Sequence, residues 1–234
     1  TMKPSPKRDI CHSSDQNYIA PTDACSYLNN NISWASFGDS HTVEPAFSLS
    51  EILDEHGVGI RHHSYSGCPP ALNYKIKGKE LCSKWLNETL FHLENDTSIT
   101  HVLLGFRYSS GIYGDNLADY PEIPNQVRLN IISASPLSEA EKLELYWASL
   151  QEIIERLVKS NKTIWLFDPI PELPTHISKA ANPFSIFGKH TVLDLELSTS
   201  KDYYLERHAF ILQRLDTLSY NDKLIRIPVY DLLC

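Results

Sequence analysis

The sequence predicts an α/β fold: three layers, α/β/α, with a parallel sheet of about five strands and helices on both faces. Three observations predict it. Short apolar, β-branched or aromatic runs alternate with longer amphipathic ones along the 234 residues. The runs "THVLLGFRY" (100–108) and "KTIWLFDPIPE" (162–172) are near-continuously apolar, the pattern of strands buried on both faces. Helices between strands imply parallel pairing through right-handed crossovers.

In chain order, "ISWASF" (32–37) reads as a strand, and "VEPAFSLSEILDEHG" (43–57) as a helix stopped by Gly57. "VGIRHHSYS" (58–66) is a second strand. "GKELCSKWLNETLFHLEN" (78–95) sets Leu81, Trp85, Leu86, Leu90 and Leu93 near helical spacing. The third strand is 100–108. The segment 135–161 is the clearest helix; Ser138 stands three residues ahead of Glu141, the spacing of a capping box. The fourth strand, 162–172, is closed by prolines. A helix over 200–219 and a fifth strand over 223–233 follow. The polar, irregular region 109–136 is expected to be a surface excursion. Residues 1–30 are expected to form a linking region that holds a Cys11–Cys25 loop, and residues 31–234 the main domain.

Composition excludes several classes of function. The apolar share of 42% with 21% charged residues is that of an ordinary globular chain. No stretch approaches the roughly 18–20 apolar residues of a membrane span. A net charge of −8 argues against a nucleic-acid partner, which calls for a basic face. The basic start "TMKPSPKRD" lacks the apolar core of a signal peptide and reads as a linker leading in from upstream. His62 and His63 are neighbours on one strand and would point to opposite faces, and no Cys-x-x-Cys or His-Glu-x-x-His pattern occurs, so no metal site is expected.

Five cysteines are more informative. Cys11 and Cys25 flank one polar loop, Cys68 and Cys82 another, and Cys234 is the last residue. Two local disulfides in an oxidising compartment are the favoured reading; five reduced, buried cysteines are the alternative. Cys234 then calls for a partner outside these 234 residues.

The segment "FGDSHTVEPA" (37–46) carries the chemistry. Two readings stand beside each other. Asp39 or Ser40 could simply cap the helix that follows. Alternatively, Ser40 is a nucleophile at the carboxyl end of the first strand, where open parallel sheets bind their ligands. A serine hydroxyl needs a base to take its proton and amide donors to hold the oxyanion that forms.

The order strand, Gly-Asp-Ser-His, helix resembles the SGNH (GDSL-like) hydrolases, whose fold is flavodoxin-like. A longer succession is more specific: a cysteine pair, "FGDSHT", "YSGCPP", "VLLGFRY", "WLFDPIPELP" and "IPVYDLLC". It is similar to the extracytoplasmic SGNH domain fused to bacterial acyltransferase family 3 membrane proteins, which O-acetylate surface polysaccharides such as lipopolysaccharide O-antigen. The resemblance implies that Ser40 is the nucleophile, that Gly67 gives the second oxyanion donor, and that Asp39 and His41 support the turn. The family's third donor is an asparagine after strand three; here Arg107 stands at about that point, as a substitute donor or a salt-bridge partner, and Asn116 is a weaker candidate. The family's late Asp-x-x-His block, its acid and base, is not found among these residues and is expected beyond Cys234.

What the resemblance implies for function is O-acetyl transfer through acyl-Ser40 to a sugar hydroxyl, at the periplasmic face of the bacterial inner membrane. The acetyl group would be passed on by an acyltransferase membrane domain of the same polypeptide; the acceptor is a polysaccharide, and no cofactor is needed. A carbohydrate acetyl esterase, with water in place of sugar, and a non-catalytic carbohydrate-binding domain are the alternatives.

Overall fold

The computed structural model describes residues 5–115, 120–173, 181–182, 192–193 and 199–230. Asn116, His190 and Cys234 lie outside them. Helix α1 (Arg8–Cys11) precedes a two-residue strand, β1 (Ser26–Tyr27). Then come β2 (Ile32–Gly38), α2 (Val43–Asp54), β3 (Gly59–Ser64), α3 (Glu80–Asn95), β4 (His101–Gly105) and the short α4 (Tyr108–Tyr113). Helix α5 (Glu139–Lys159) leads to β5 (Thr163–Phe167). A small antiparallel pair, β6 (Ala181–Asn182) and β7 (Val192–Leu193), stands apart from the main sheet. Helices α6 (Lys201–Arg207) and α7 (Ala209–Leu215) and strand β8 (Leu224–Ile227) complete the order.

The main sheet runs β1-β3-β2-β4-β5-β8. Its five longer strands are parallel, and β1 adds an antiparallel edge against β3. Alternation along the strands divides the core into two layers. Ala35, Phe37, Val102, Leu104, Ile164 and Leu166 pack with the buried faces of α3, α5 and α7. On the other face, Ile60 and Leu103 pack with Ala46 and Leu53 of α2, with Trp34 and Trp165 against them. Both faces of the central strands are therefore covered by helices, as the three-layer reading requires.

Local chemistry explains the ends of the elements. Gly57 has φ of +68°, and the amides of His56 and Val58 both reach the Leu53 carbonyl, so α2 closes in a left-handed turn. Ser138 and Glu141 form the capping box of α5: each side chain accepts from the other residue's amide. Two features depart from the sequence reading. The helix expected over 200–219 breaks at His208, whose buried ring is hydrogen-bonded to the Ser109 hydroxyl at 2.6 Å. Leu81, placed on the apolar face of α3, is 39% exposed, and Cys82 is buried beside it.

Both local disulfides form, Cys11–Cys25 and Cys68–Cys82, each with Cα atoms 5.5 Å apart. The first ties α1 to the start of β1, so residues 5–27 lie against the sheet: Ser13 bridges to Tyr65, and Tyr27 is buried. A buried polar chain runs beneath this segment. Ser36 meets His62 at 2.6 Å, His62 meets Ser64 at 2.7 Å, and Ser64 meets His12 at 2.8 Å. Burial holds His62 down to about 3 and His12 down to about 4, so both rings are neutral at pH 7 and trade one donor for one acceptor along the chain.

Strands β2 and β4 end side by side, with Gly38 paired to Gly105. A Cβ on Gly38 would stand 1.8 Å from the Gly105 carbonyl oxygen and 2.7 Å from the Thr42 methyl. The contact is with backbone, so it cannot be relieved by a rotamer change. Gly38→Ala is expected to destabilise the fold by about 3 kcal/mol or more, read as a lowered urea midpoint.

Candidate active site

Where β2 ends, the chain enters a single 3-10 turn, Ser40–Thr42, before α2. Asp39 caps that turn: its Oδ1 accepts from the His41 amide at 2.9 Å. Its carbonyl also accepts from the Thr42 hydroxyl at 2.8 Å. The other carboxylate oxygen, Oδ2, reaches across to the loop after β4 and accepts from the Arg107 amide at 2.8 Å. Asp39 is only 3% exposed. Burial pushes its carboxyl up to about 6, against the pull of the His41 and Arg107 amides.

The cap and the nucleophile readings of "GDSH" thus fall on different residues. Asp39 does the capping, and the Ser40 hydroxyl is left over. It has no hydrogen-bond partner among the described residues and lines a cleft of about 340 Å³ at the carboxyl end of the sheet. The Ser40 amide, at the start of its turn, is likewise without an acceptor among the described residues.

Gly67 lines the same cleft from the loop after β3. Its φ of +55° is a left-handed conformation that favours glycine. Its carbonyl accepts from Lys79 Nζ at 2.7 Å, while its amide finds no acceptor among the described residues. Ser40 and Gly67, both lining the cleft, thus carry one hydroxyl and two amides without partners among the described residues.

Arg107 lines the cleft as well. Its amide is taken by Asp39, its Nε donates to Glu172 at 2.7 Å, and its Nη1 pairs with Asp115 at 2.6 Å. It is a salt-bridge partner in this arrangement, with Nη2 alone left without an acceptor among the described residues. Asn116, the other donor considered, lies outside the described residues. His41 is half-buried; burial first and the Arg107 cation next lower its ring to about 4, so it is neutral at pH 7. Among the described residues no imidazole is hydrogen-bonded to the Ser40 hydroxyl. His208 is a packing residue, buried between Ser109 and the Tyr204 ring.

Sequence reasoning missed Glu172. Its carboxylate bridges two guanidiniums, accepting from Arg107 Nε at 2.7 Å and from Arg207 Nε at 2.9 Å. Glu172 and Arg207 are 5% and 1% exposed. It also missed Lys77, Lys79 and Arg128 on the cleft wall, although "KIKGK" (75–79) is visible as a basic run between two cysteines. No group of three or more metal-ligating side chains is present among the described residues.

Asp39 titrates in an unusual window for a carboxylate. Its folded value, about 6, lies above the ordinary 3.8, so the folded state holds the proton more tightly than the unfolded chain does. The stability linked to that proton is complete below about pH 4 and is lost as pH rises through about 6. Asp39→Asn removes this component. The variant's stability relative to the parent should improve by on the order of 3 kcal/mol between pH 4 and pH 7, as read from urea melts at both values.

Comparison with known proteins identifies the family. Residues 10–234 match the family model of the SGNH domain (fused to AT3 domains). Among solved structures, the periplasmic domain of the lipopolysaccharide acetyltransferase of Salmonella ser. Paratyphi A aligns over 96% of this chain and 76% of its own. The TM-score is 0.57 at 18% identity, which is a likeness of fold. An acylhydrolase-like protein from Bacteroides fragilis NCTC 9343 aligns over 99% of this chain and 77% of its own, with a TM-score of 0.39 at 10% identity. No curated protein matches. Among the described residues no helix is long and apolar enough to cross a membrane. On the match over residues 10–234, the chain belongs to the family of SGNH domains fused to AT3 domains.

Proposed function

We propose that this domain transfers acetyl groups to a polysaccharide, with Ser40 as the nucleophile. The observation that carries the reading is the coincidence in one cleft of the unbonded Ser40 hydroxyl with the unbonded amides of Ser40 and Gly67. Ser40 Oγ attacks the acetyl carbonyl of the donor. Its proton passes to an imidazole, which the family resemblance assigns to the late Asp-x-x-His block. Charge builds on the carbonyl oxygen, and the two amides receive it. One such donor typically contributes about 2.7–4 kcal/mol to the transition state. Collapse expels the donor's leaving group, which takes the proton from the imidazolium, and forms acetyl-Ser40. A sugar hydroxyl then attacks and gives up its proton to the same imidazole; the acetyl ester leaves and that proton returns to Ser40 Oγ.

Membership of a family fused to AT3 domains supports the donor: an acetyl group handed over by a membrane domain of the same polypeptide. The two disulfides support an oxidising compartment, here the periplasmic face of the inner membrane. The lipopolysaccharide acetyltransferase that shares the fold supports a surface glycan as acceptor.

With water in place of sugar, acetyl-Ser40 is hydrolysed, so the chemistry can be followed as release of 4-nitrophenol from its acetate. In a protein that also carries the late Asp-x-x-His block, Ser40→Ala should lower that turnover at least about 1000-fold while leaving the thermal midpoint unchanged. Equal turnover by variant and parent would eliminate the serine mechanism.

A further inference from the structure

The cleft that Ser40 lines is cationic, although the chain carries a net charge of −8. Its lining holds Lys77, Lys79, Arg107 and Arg128 against two carboxylates, Asp39 and Asp115. Those carboxylates are already engaged: Asp39 by two amides, Asp115 by Arg107 and the Ser110 hydroxyl. Lys79 is spent on the Gly67 carbonyl. Lys77 and Arg128 have no carboxylate partner among the described residues. Like charges gathered without counter-charges repel one another, a cost that an anionic ligand would offset.

The backbone that carries these two cations is held in place. The Lys77 amide donates to the Asn130 carbonyl at 2.9 Å, the Ile132 amide to Lys75 at 2.8 Å, and Ile76 bridges Ile131 in antiparallel register. The Arg128 amide donates to Ile112 at 2.8 Å. Ile76 and Leu129, the neighbours of Lys77 and Arg128, are buried and anchor the ribbon to the core. The loop bearing Lys77 is closed by the Cys68–Cys82 disulfide. The backbone under the charges is therefore fixed before any ligand arrives, which lowers the entropic cost of binding.

We infer that Lys77 and Arg128 form an anion subsite beside Ser40, and that the acceptor is an acidic glycan whose carboxylate they bind. The inference rests on the acyl-transfer reading for what the subsite serves, but its test reads binding alone. Trigalacturonic acid and its methyl ester differ in charge and share a sugar backbone. Titration calorimetry on the full chain should show the acid binding about tenfold more tightly than the ester at low salt. The preference should vanish at about 0.5 M salt and in the double variant Lys77→Ala/Arg128→Ala. It should survive in Lys77→Arg/Arg128→Lys, in the distant surface variant Lys159→Ala and in Ser40→Ala. Retention in Ser40→Ala keeps the two readings apart, since that variant loses acetyl turnover without losing the subsite. Both cations are exposed, so the double variant should melt like the parent. Equal binding of acid and ester, or a preference that persists in the double variant, overturns the subsite. Displacement of the acid by coenzyme A at lower concentration would give the cations to a donor's phosphates and overturn the acceptor assignment.

Discussion

One buried carboxylate organises the cleft end of this domain. Asp39 joins the turn after β2 to the loop after β4 by accepting one amide from each, His41 at 2.9 Å and Arg107 at 2.8 Å. Each amide takes this carboxylate as its acceptor. Ionising Asp39 in that setting is costly, as its rise to about 6 shows, and the two amides offset part of the cost. The geometry depends on Gly38, which has no side chain to hold the two strand ends apart. Ser40 is presented to the cleft as a consequence: its predecessor has taken over the capping that a serine at this point would otherwise perform.

From Arg107 the network continues into the rest of the fold. Its side chain meets Glu172, Glu172 meets Arg207, and Arg207 Nη2 donates to the Gly114 carbonyl at 2.7 Å. Four segments are thereby joined: the turn after β2, the loop after β4, the chain after β5, and α6. A buried carboxylate between two guanidiniums has its charge compensated on both sides, which a single exposed pair would not achieve. The ends of the strands carry the site, and polar contacts between those ends, rather than the apolar core beneath them, decide its shape. The apolar layers set where the strands lie. The Asp39–Arg107–Glu172–Arg207 chain sets how their loops meet.

The remaining wall of the cleft comes from elsewhere in the chain. The disulfide-closed loop 68–82 supplies Lys77 and Lys79, and the region read as a surface excursion supplies Arg128, Leu129 and Asn130. Far from a passive loop, that excursion begins with helix α4 and pairs with residues 75–77. The Ser40 turn and the cationic lining are therefore built by different parts of the fold and meet at the cleft.

Sequence by itself determined the layers. Runs such as "THVLLGFRY" and the capped helix at Ser138 report which faces are buried, and that is a local property, legible from spacing. The polar loops between cysteines marked both disulfides for the same reason, and "GDSH" at a strand end pointed to the cleft. Tertiary structure alone decided the rest. The two-residue edge strand β1 is too short to show a period, and the break at His208 has no glycine or proline to announce it. Whether Arg107 would face solvent or a carboxylate depended on Glu172, 65 residues away, and on Arg207 beyond it. Periodicity records which side of an element is apolar; the partner of a buried charge is chosen by strand order, which brings distant loops to one end of the sheet.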